Sequence, residues 1–106
     1  MNDKILPDKT AGIKSNPLTL DKNKRTLIIN NKEIIFQQKE FEIFYFLTNN
    51  PGKVFSRDIL LKEIWGSDVL VEKRTIDVHI RKIREKLGNH SDLIETIKSV
   101  GYRFKK

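Results

Sequence analysis

The side chains best suited to chemistry lie in one basic segment, residues 73–87, with the sequence KRTIDVHIRKIREKL. Six of its residues are basic and two are acidic. Apolar residues recur at intervals of three and four, which predicts a helix with one apolar seam. The seam consists of Ile76, Ile80, Ile83 and Leu87. The residues expected on the opposite face are Arg74, Val78, Arg81, Lys82 and Glu85.

A basic helical face of this kind suits the phosphates and base edges of duplex DNA. An α-helix fits the major groove, where lysine and arginine neutralise phosphates and donate to bases. Val78 would lie in the middle of this polar face, and an apolar side chain there suits a thymine methyl group. A merely solvated surface is the alternative interpretation, since exposed helix faces are often rich in lysine and arginine.

The charge of the whole chain favours a polyanion partner. A length of 106 residues suits one compact domain with a modest core, and the chain carries a formal net charge of +7. Residues 71–106 hold ten basic and five acidic side chains, against eleven and nine in residues 1–70. Concentration of the excess in one third of the chain is typical of a face that binds a polyanion.

Several classes of site and protein are excluded or disfavoured. The absence of cysteine excludes disulfides and thiolate zinc sites. His79 and His90 have no carboxylate or thiol at metal spacing, so no metal site is predicted, and His79 is expected to pack. No P-loop, GxSxG motif or acid–base pair indicates an enzyme, and no cofactor is expected. With no apolar run near the ~18 residues of a membrane helix and no signal-peptide pattern, we expect a cytoplasmic protein.

Short elements precede the basic helix. Residues 1–16 are predicted to be a disordered linker or tail, and residues 17–106 the folded domain. Three β-branched runs, 18–20, 26–29 and 33–36, predict a small antiparallel sheet with a tight turn at Asn30 and Asn31.

Three helices and a hairpin are expected after this sheet. The first helix spans residues 38–49 and the second 57–65, with Ser56 as its N-cap and Gly66 as its end. The basic helix follows a loop, and a hairpin over 93–105 turns at Ser99 and Val100. The second and third helices thus resemble a helix-turn-helix, and the hairpin resembles the wing of a winged helix.

The sequence closely resembles the winged-helix effector domain of OmpR/PhoB-type bacterial response regulators. The matching motifs are EF at 40–41, PGKVFSR at 51–57, LL at 60–61, IWG at 64–66, RTIDVHIR at 74–81, IREKL at 83–87, TI at 96–97 and GYRF at 101–104. The resemblance implies an α+β winged helix-turn-helix with an N-terminal antiparallel four-stranded sheet, three helices and a C-terminal β-hairpin wing. It also implies sequence-specific binding of double-stranded DNA and control of transcription.

The resemblance implies roles for individual residues. Basic helix positions would bind phosphates or bases, second-helix positions the DNA backbone, and wing positions the minor groove. The DNA-binding positions are Arg57, Trp65, Arg74, Thr75, Val78, Arg81, Lys82, Arg84, Thr96, Lys98 and Tyr102. The loop corresponding to the RNA polymerase contact of activators comprises Gly66, Ser67, Asp68, Val69, Leu70 and Val71.

Three residues depart from the family pattern. Lys82 stands where members often carry arginine, and its ammonium group is less suited than a guanidinium group to bidentate hydrogen bonding with guanine. Ser99 replaces a frequent glycine at the wing tip, and Gln37 replaces the usual threonine cap of the first helix.

For some positions the sequence also offers a role other than DNA contact. Trp65 and Tyr102 are expected mostly in the core, and Arg84 can pair with Asp77 instead of DNA. Asp77 suits the start of its helix and can orient Arg81.

The resemblance also implies partners in a two-component phosphorelay. A receiver domain N-terminal to this one would be phosphorylated by a sensor kinase. Two copies would bind tandem half-sites as a dimer, whereas the isolated domain would be largely monomeric. The alternatives are a winged helix used only for protein contact and an RNA or single-strand binder. The latter needs exposed stacking aromatics, and the aromatics here fall mainly on core positions.

Overall fold

The computed structural model describes residues 18–67 and 70–105 of the chain. The predicted tail over 1–16, together with Asp68 and Val69 of the expected polymerase loop, lies outside the described residues. The described residues fall into two units, which divide between Gln38 and Lys39.

The first unit is an antiparallel sheet of strands β1 (Leu18–Asp21), β2 (Thr26–Ile29) and β3 (Lys32–Ile35), in that order. Leu27 lies opposite Leu20 on one side and Ile34 on the other. Along β2, Leu27 and Ile29 are buried while Ile28 is exposed, which is the alternation expected of a strand with one covered face.

The resemblance implies a four-stranded N-terminal sheet, and the strand count of the described sheet is different. Among residues 18–67, the sheet has three strands, one for each β-branched run of the sequence. Only Phe36 and Gln37 lie between β3 and the first helix, which leaves too few residues for another strand. The predicted turn between β2 and β3 is confirmed, because Asn30 and Asn31 both have positive φ, at 51° and 66°.

The second unit contains helices α1 (Gln38–Thr48), whose first residue belongs to the first unit, α2 (Arg57–Trp65) and α3 (Arg74–Leu87). The Ser56 hydroxyl caps α2 by accepting the amide of Ile59 at 3.1 Å. Gly66 ends α2 with a φ of 95° that glycine adopts without steric cost. Both ends of α2 therefore lie where the sequence predicts them.

The apolar seam of α3 is confirmed, since all four of its predicted members are buried. They are Ile76, Ile80, Ile83 and Leu87. On α1, Phe41, Ile43, Phe44 and Leu47 are buried as well. Glu40 on α1 is also buried, and its carboxylate accepts a hydrogen bond from Lys86 Nζ of α3 at 2.7 Å. Removal of the seam from water fixes the opposite side of α3 as its exposed face.

The hairpin follows α3 after a 3₁₀ segment, Gly88–Leu93, and consists of β4 (Ile94–Ile97) and β5 (Gly101–Phe104). Phe55, which directly precedes the cap of α2, pairs with Tyr102 of β5 through two backbone hydrogen bonds of 2.9 Å. Gly101 makes this approach possible, because a Cβ atom there would lie 1.9 Å from the carbonyl oxygen of Phe55. The base of the wing is thus joined to the start of α2.

We predict that Ser99→Gly stabilises the protein. Ser99 has a φ of 65° at the wing turn, a backbone region that costs a residue with a side chain more than it costs glycine. The free energy of unfolding should rise by roughly 0.5 kcal/mol, measured by urea denaturation. Ser99→Ala keeps a Cβ atom on the same backbone and should give no such gain, so equal stabilisation by both variants would contradict the explanation.

No helix within residues 18–67 and 70–105 combines the length and hydropathy needed to cross a membrane.

Candidate nucleic-acid interface

The exposed face of α3 carries the cations that the sequence predicts. The side chains of Arg74 and Arg81 are each 80% exposed, and Lys82 is exposed beside them. Arg81 Nε lies 3.5 Å from Glu85, and Arg74 Nε lies 3.8 Å from Glu72. Pairs this exposed contribute little to stability, so both guanidinium groups can exchange their carboxylate partner for a phosphate.

Val78 is the apolar centre of this cationic face. It is 47% exposed, although the four residues of the seam on the same helix are buried. Because an exposed valine between arginines gains nothing from solvation, its position suits an apolar partner such as a base methyl group. Thr75, one turn earlier, is partly buried, and its amide donates to the Glu72 carbonyl at 2.9 Å.

Asp77 joins three elements of the unit. Its carboxylate accepts one hydrogen bond from the Tyr102 hydroxyl of β5 at 2.6 Å and another from Arg57 Nη1 of α2 at 3.0 Å. The expectation that Asp77 orients Arg81 is wrong, because Arg81 pairs with Glu85. A partner four residues along the helix is close, but the tertiary partners Arg57 and Tyr102 provide two charge-assisted bonds instead.

Arg84 faces the wing. Its Nε and Nη2 donate to the Ile94 carbonyl at 3.2 and 2.8 Å, and Nη2 also donates to the Thr96 hydroxyl at 2.7 Å. The guanidinium carbon lies 5.7 Å from the centre of the Tyr102 ring. The alternative pairing of Arg84 with Asp77 is wrong, since Arg84 uses these donors on β4 while Asp77 binds Tyr102 and Arg57.

Tyr102 is buried, as the sequence favours, and its hydroxyl is bonded to Asp77. Burial, with help from the Asp77 hydrogen bond and negative charge, raises the pKa of Tyr102 to about 12. Arg84 and Arg57 oppose this rise through their positive charges.

We predict a pH-dependent loss of stability from Tyr102. A phenol whose pKa is higher in the folded state than in the unfolded state stabilises the fold fully below pH 10, and this contribution disappears as the pH rises through about 12. Near-ultraviolet tyrosinate absorbance should show a transition near pH 12 that Tyr102→Phe removes. Ionisation of Tyr102 near pH 10 would contradict the prediction.

The remaining predicted positions lie on α2 and on the hairpin. Trp65 is half-buried, and its ring meets the His79 ring edge-on at 5.2 Å, while His79 Nδ1 bonds the Thr75 carbonyl at 2.8 Å. His79 therefore packs, as predicted. Lys98 and Thr96 are exposed on the hairpin, and Arg57 is exposed at the start of α2.

The predicted polymerase loop is described only in part. Gly66, Ser67 and Leu70 are exposed, Leu70 fully so, and Val71 is partly buried. Among residues 18–67 and 70–105, no three metal-binding side chains come together.

The feature that sequence reasoning missed is the contact of Asp77 with both Arg57 and Tyr102. These partners are 20 and 25 residues away along the chain, and helical periodicity carries no signal at that separation. Asp77 lies in the motif RTIDVHIR and Tyr102 in the motif GYRF, but only the folded hairpin brings these two residues together.

Comparison with known proteins places this geometry among transcriptional regulators. Residues 31–104 match the family model described as "Transcriptional regulatory protein, C terminal". The chain is 37% identical over 89 residues to the phosphate regulon transcriptional regulatory protein PhoB of Escherichia coli K12, covering 82% of this chain and 39% of PhoB. The chain therefore spans about two fifths of that relative.

Solved structures give the same result. The DNA-binding domain of Bacillus subtilis CssR aligns with a TM-score of 0.73 and 27% identity, over 83% of this chain and 99% of that one. The DNA-binding domain of the response regulator AdeR, in complex with an intercistronic region, aligns with a TM-score of 0.71 and 28% identity. This match covers 84% of this chain and 94% of the AdeR chain.

Proposed function

The chain belongs to the transcriptional regulatory protein C-terminal family, the DNA-binding output domains of OmpR/PhoB-type response regulators, and we propose that it binds a specific duplex sequence through α3 and the wing. The family is one of transcription regulators and not a class of enzymes. The observation that carries the proposal is the exposed face of α3, where cations surround Val78 opposite a fully buried seam.

Each residue of this face has a chemistry that suits one part of the DNA. Arg74 and Arg81 extend from a helix of major-groove width, so their guanidinium groups suit flanking phosphates. Lys82 suits an acceptor on a base edge, and Val78 suits a thymine methyl group. Phosphate contacts would fix the register of the domain on the duplex, and the contacts of Lys82 and Val78 with bases would select the sequence.

The hairpin supplies the second contact. Thr96 is exposed near the end of β4 and Lys98 is exposed in the turn that follows, and a cation there suits the negative potential of the minor groove. Arg57, at the start of α2, adds a cation for the backbone.

Partners beyond DNA follow from the family and are also proposals. The protein would act in the cytoplasm with an N-terminal receiver domain that a sensor kinase phosphorylates. Receiver dimerisation would raise the local concentration of this domain, so two copies would occupy tandem half-sites. The loop that contains the exposed Leu70 would contact RNA polymerase, the partner that the family resemblance implies.

Selection from a random duplex library, followed by titration of the selected and random duplexes at about 50 and about 200 mM salt, tests the proposal. A preference of at least about tenfold for one sequence supports it, and the repeat spacing selected would give the arrangement of the two copies. Equally weak binding to every duplex that disappears with salt would contradict it. That result would favour the alternative of a winged helix used for protein contact.

A further inference from the structure

A carboxylate in the middle of a cationic DNA-binding face needs an explanation. Asp77 follows Arg74 by three residues and precedes Arg81 by four, so its side chain shares their side of α3. It is 41% exposed. A negative charge at this place repels DNA phosphates and opposes polyanion binding. We therefore expect Asp77 to have a role other than direct contact with the phosphates.

The contacts of Asp77 show what it provides. One oxygen holds the Tyr102 hydroxyl of β5 at 2.6 Å, and the other holds Arg57 of α2 at 3.0 Å. The Tyr102 backbone is bonded in turn to Phe55, immediately before the cap of α2. A closed circuit of contacts therefore passes from α3 to the wing, from the wing to the start of α2, and back to α3.

The second link between α3 and the wing lies beside the first. Arg84, seven residues after Asp77 on α3, holds the Ile94 carbonyl and the Thr96 hydroxyl of β4 and lies over the Tyr102 ring. The two links hold adjacent strands of the same hairpin. Because each ends on a different strand, together they restrict both sliding and rotation of the wing against α3.

We propose that Asp77 is a positioning residue for DNA recognition, which holds the wing and the start of α2 at a fixed distance from α3 so that all three meet one DNA site together. The inference rests on the proposed function, since it concerns selectivity among duplexes. It assigns Tyr102 to the same task, through its hydroxyl, in place of a direct contact with DNA. Selectivity then depends on a residue that binds no base.

The sign of the effect separates positioning from simple charge. Asp77→Asn removes a negative charge, and electrostatics alone would raise affinity for every duplex. If Asp77 positions the wing, affinity for the selected duplex falls by about tenfold while affinity for random duplex stays within about twofold or rises. Glu72→Gln is the matched control, because it removes an exposed charge beside Arg74 at the start of α3. It should change both affinities by the same small factor and leave the preference unaltered.

Tyr102→Phe is the second variant, since it removes only the hydroxyl and keeps the Asp77 charge. We expect the same loss of preference, and the double variant should lose no more than the more affected single variant. Circular dichroism confirms folding, and in folded Asp77→Asn the tyrosinate transition of Tyr102 should move below its wild-type position.

Two results would overturn parts of this account separately. If both folded variants keep the wild-type preference although the tyrosinate transition has moved in Asp77→Asn, Asp77 only stabilises the fold and the positioning proposal is wrong. If wild-type protein itself shows no preference for any duplex, the proposed function fails, and the positioning proposal fails with it.

Discussion

Replacing Gly101 with alanine is expected to destabilise the protein by about 3 to 5 kcal/mol, through overpacking and the loss of two backbone hydrogen bonds. The added Cβ atom would lie 1.9 Å from the Phe55 carbonyl oxygen and 2.9 Å from Ser56 Cα. Both neighbours are backbone atoms, so no side chain can turn aside to make room. The bridge between Phe55 and Tyr102 must open, and the cap of α2 next to it must shift. Urea denaturation measures the loss.

The neighbouring Val100→Ala variant is the control, because Val100 is exposed in the turn directly before β5. It should change the free energy of unfolding by less than about 0.5 kcal/mol. A Gly101→Ala protein as stable as Val100→Ala would show that the wing does not need its close contact with Phe55.

Lys82→Ala is expected to lower affinity for the selected duplex by about tenfold and to relax the preference at one or two adjacent base pairs. The reason is that the Lys82 ammonium is exposed beside Val78 on the central part of α3, where a groove-bound helix faces base edges. Titration against duplexes with single base-pair changes measures the effect. Lys82→Arg, unlike Lys82→Ala, should keep the affinity for the selected duplex and increase the preference for guanine, because a guanidinium group can donate two parallel hydrogen bonds.

Lys105→Ala is the matched control for loss of one lysine. Lys105 follows β5 at the end of the hairpin away from the turn, and its Nζ lies 3.3 Å from Asp92. We expect a reduction below about threefold that is the same for every duplex. Lys82→Ala could instead weaken binding to all duplexes equally and reduce the slope of log affinity against log salt concentration by about one. Lys82 would then contact a phosphate and not a base.

The sequence predicts well those features that depend on near neighbours. The bounds of α2 follow from Ser56 and Gly66, and the seam of α3 follows from apolar spacing, because a cap and a helical repeat act within a few residues. The exposure of Arg74, Val78 and Arg81 follows from the same repeat. The face that we propose to bind DNA was therefore predictable from residues 73–87 alone.

Features that depend on distant neighbours were not predictable in this way. Helical spacing offered Asp77 a partner in Arg81, but the hairpin brings Tyr102 to 2.6 Å and α2 brings Arg57 to 3.0 Å. Arg84 likewise took partners on β4, whose position no local pattern determines. Both cases concern long polar side chains, which can reach several partners until the tertiary structure selects one.

Arg84 also affects how the protein behaves when its concentration is high. β4 is the outer strand of the wing, since β5 lies between it and Phe55. An outer strand offers its backbone groups to any other extended chain and can become a template for aggregation. The Arg84 guanidinium occupies the Ile94 carbonyl and adds a positive charge beside Thr96, so a second strand would have to displace it. The side chain that fastens the wing to α3 therefore also protects the hairpin from edge-to-edge association.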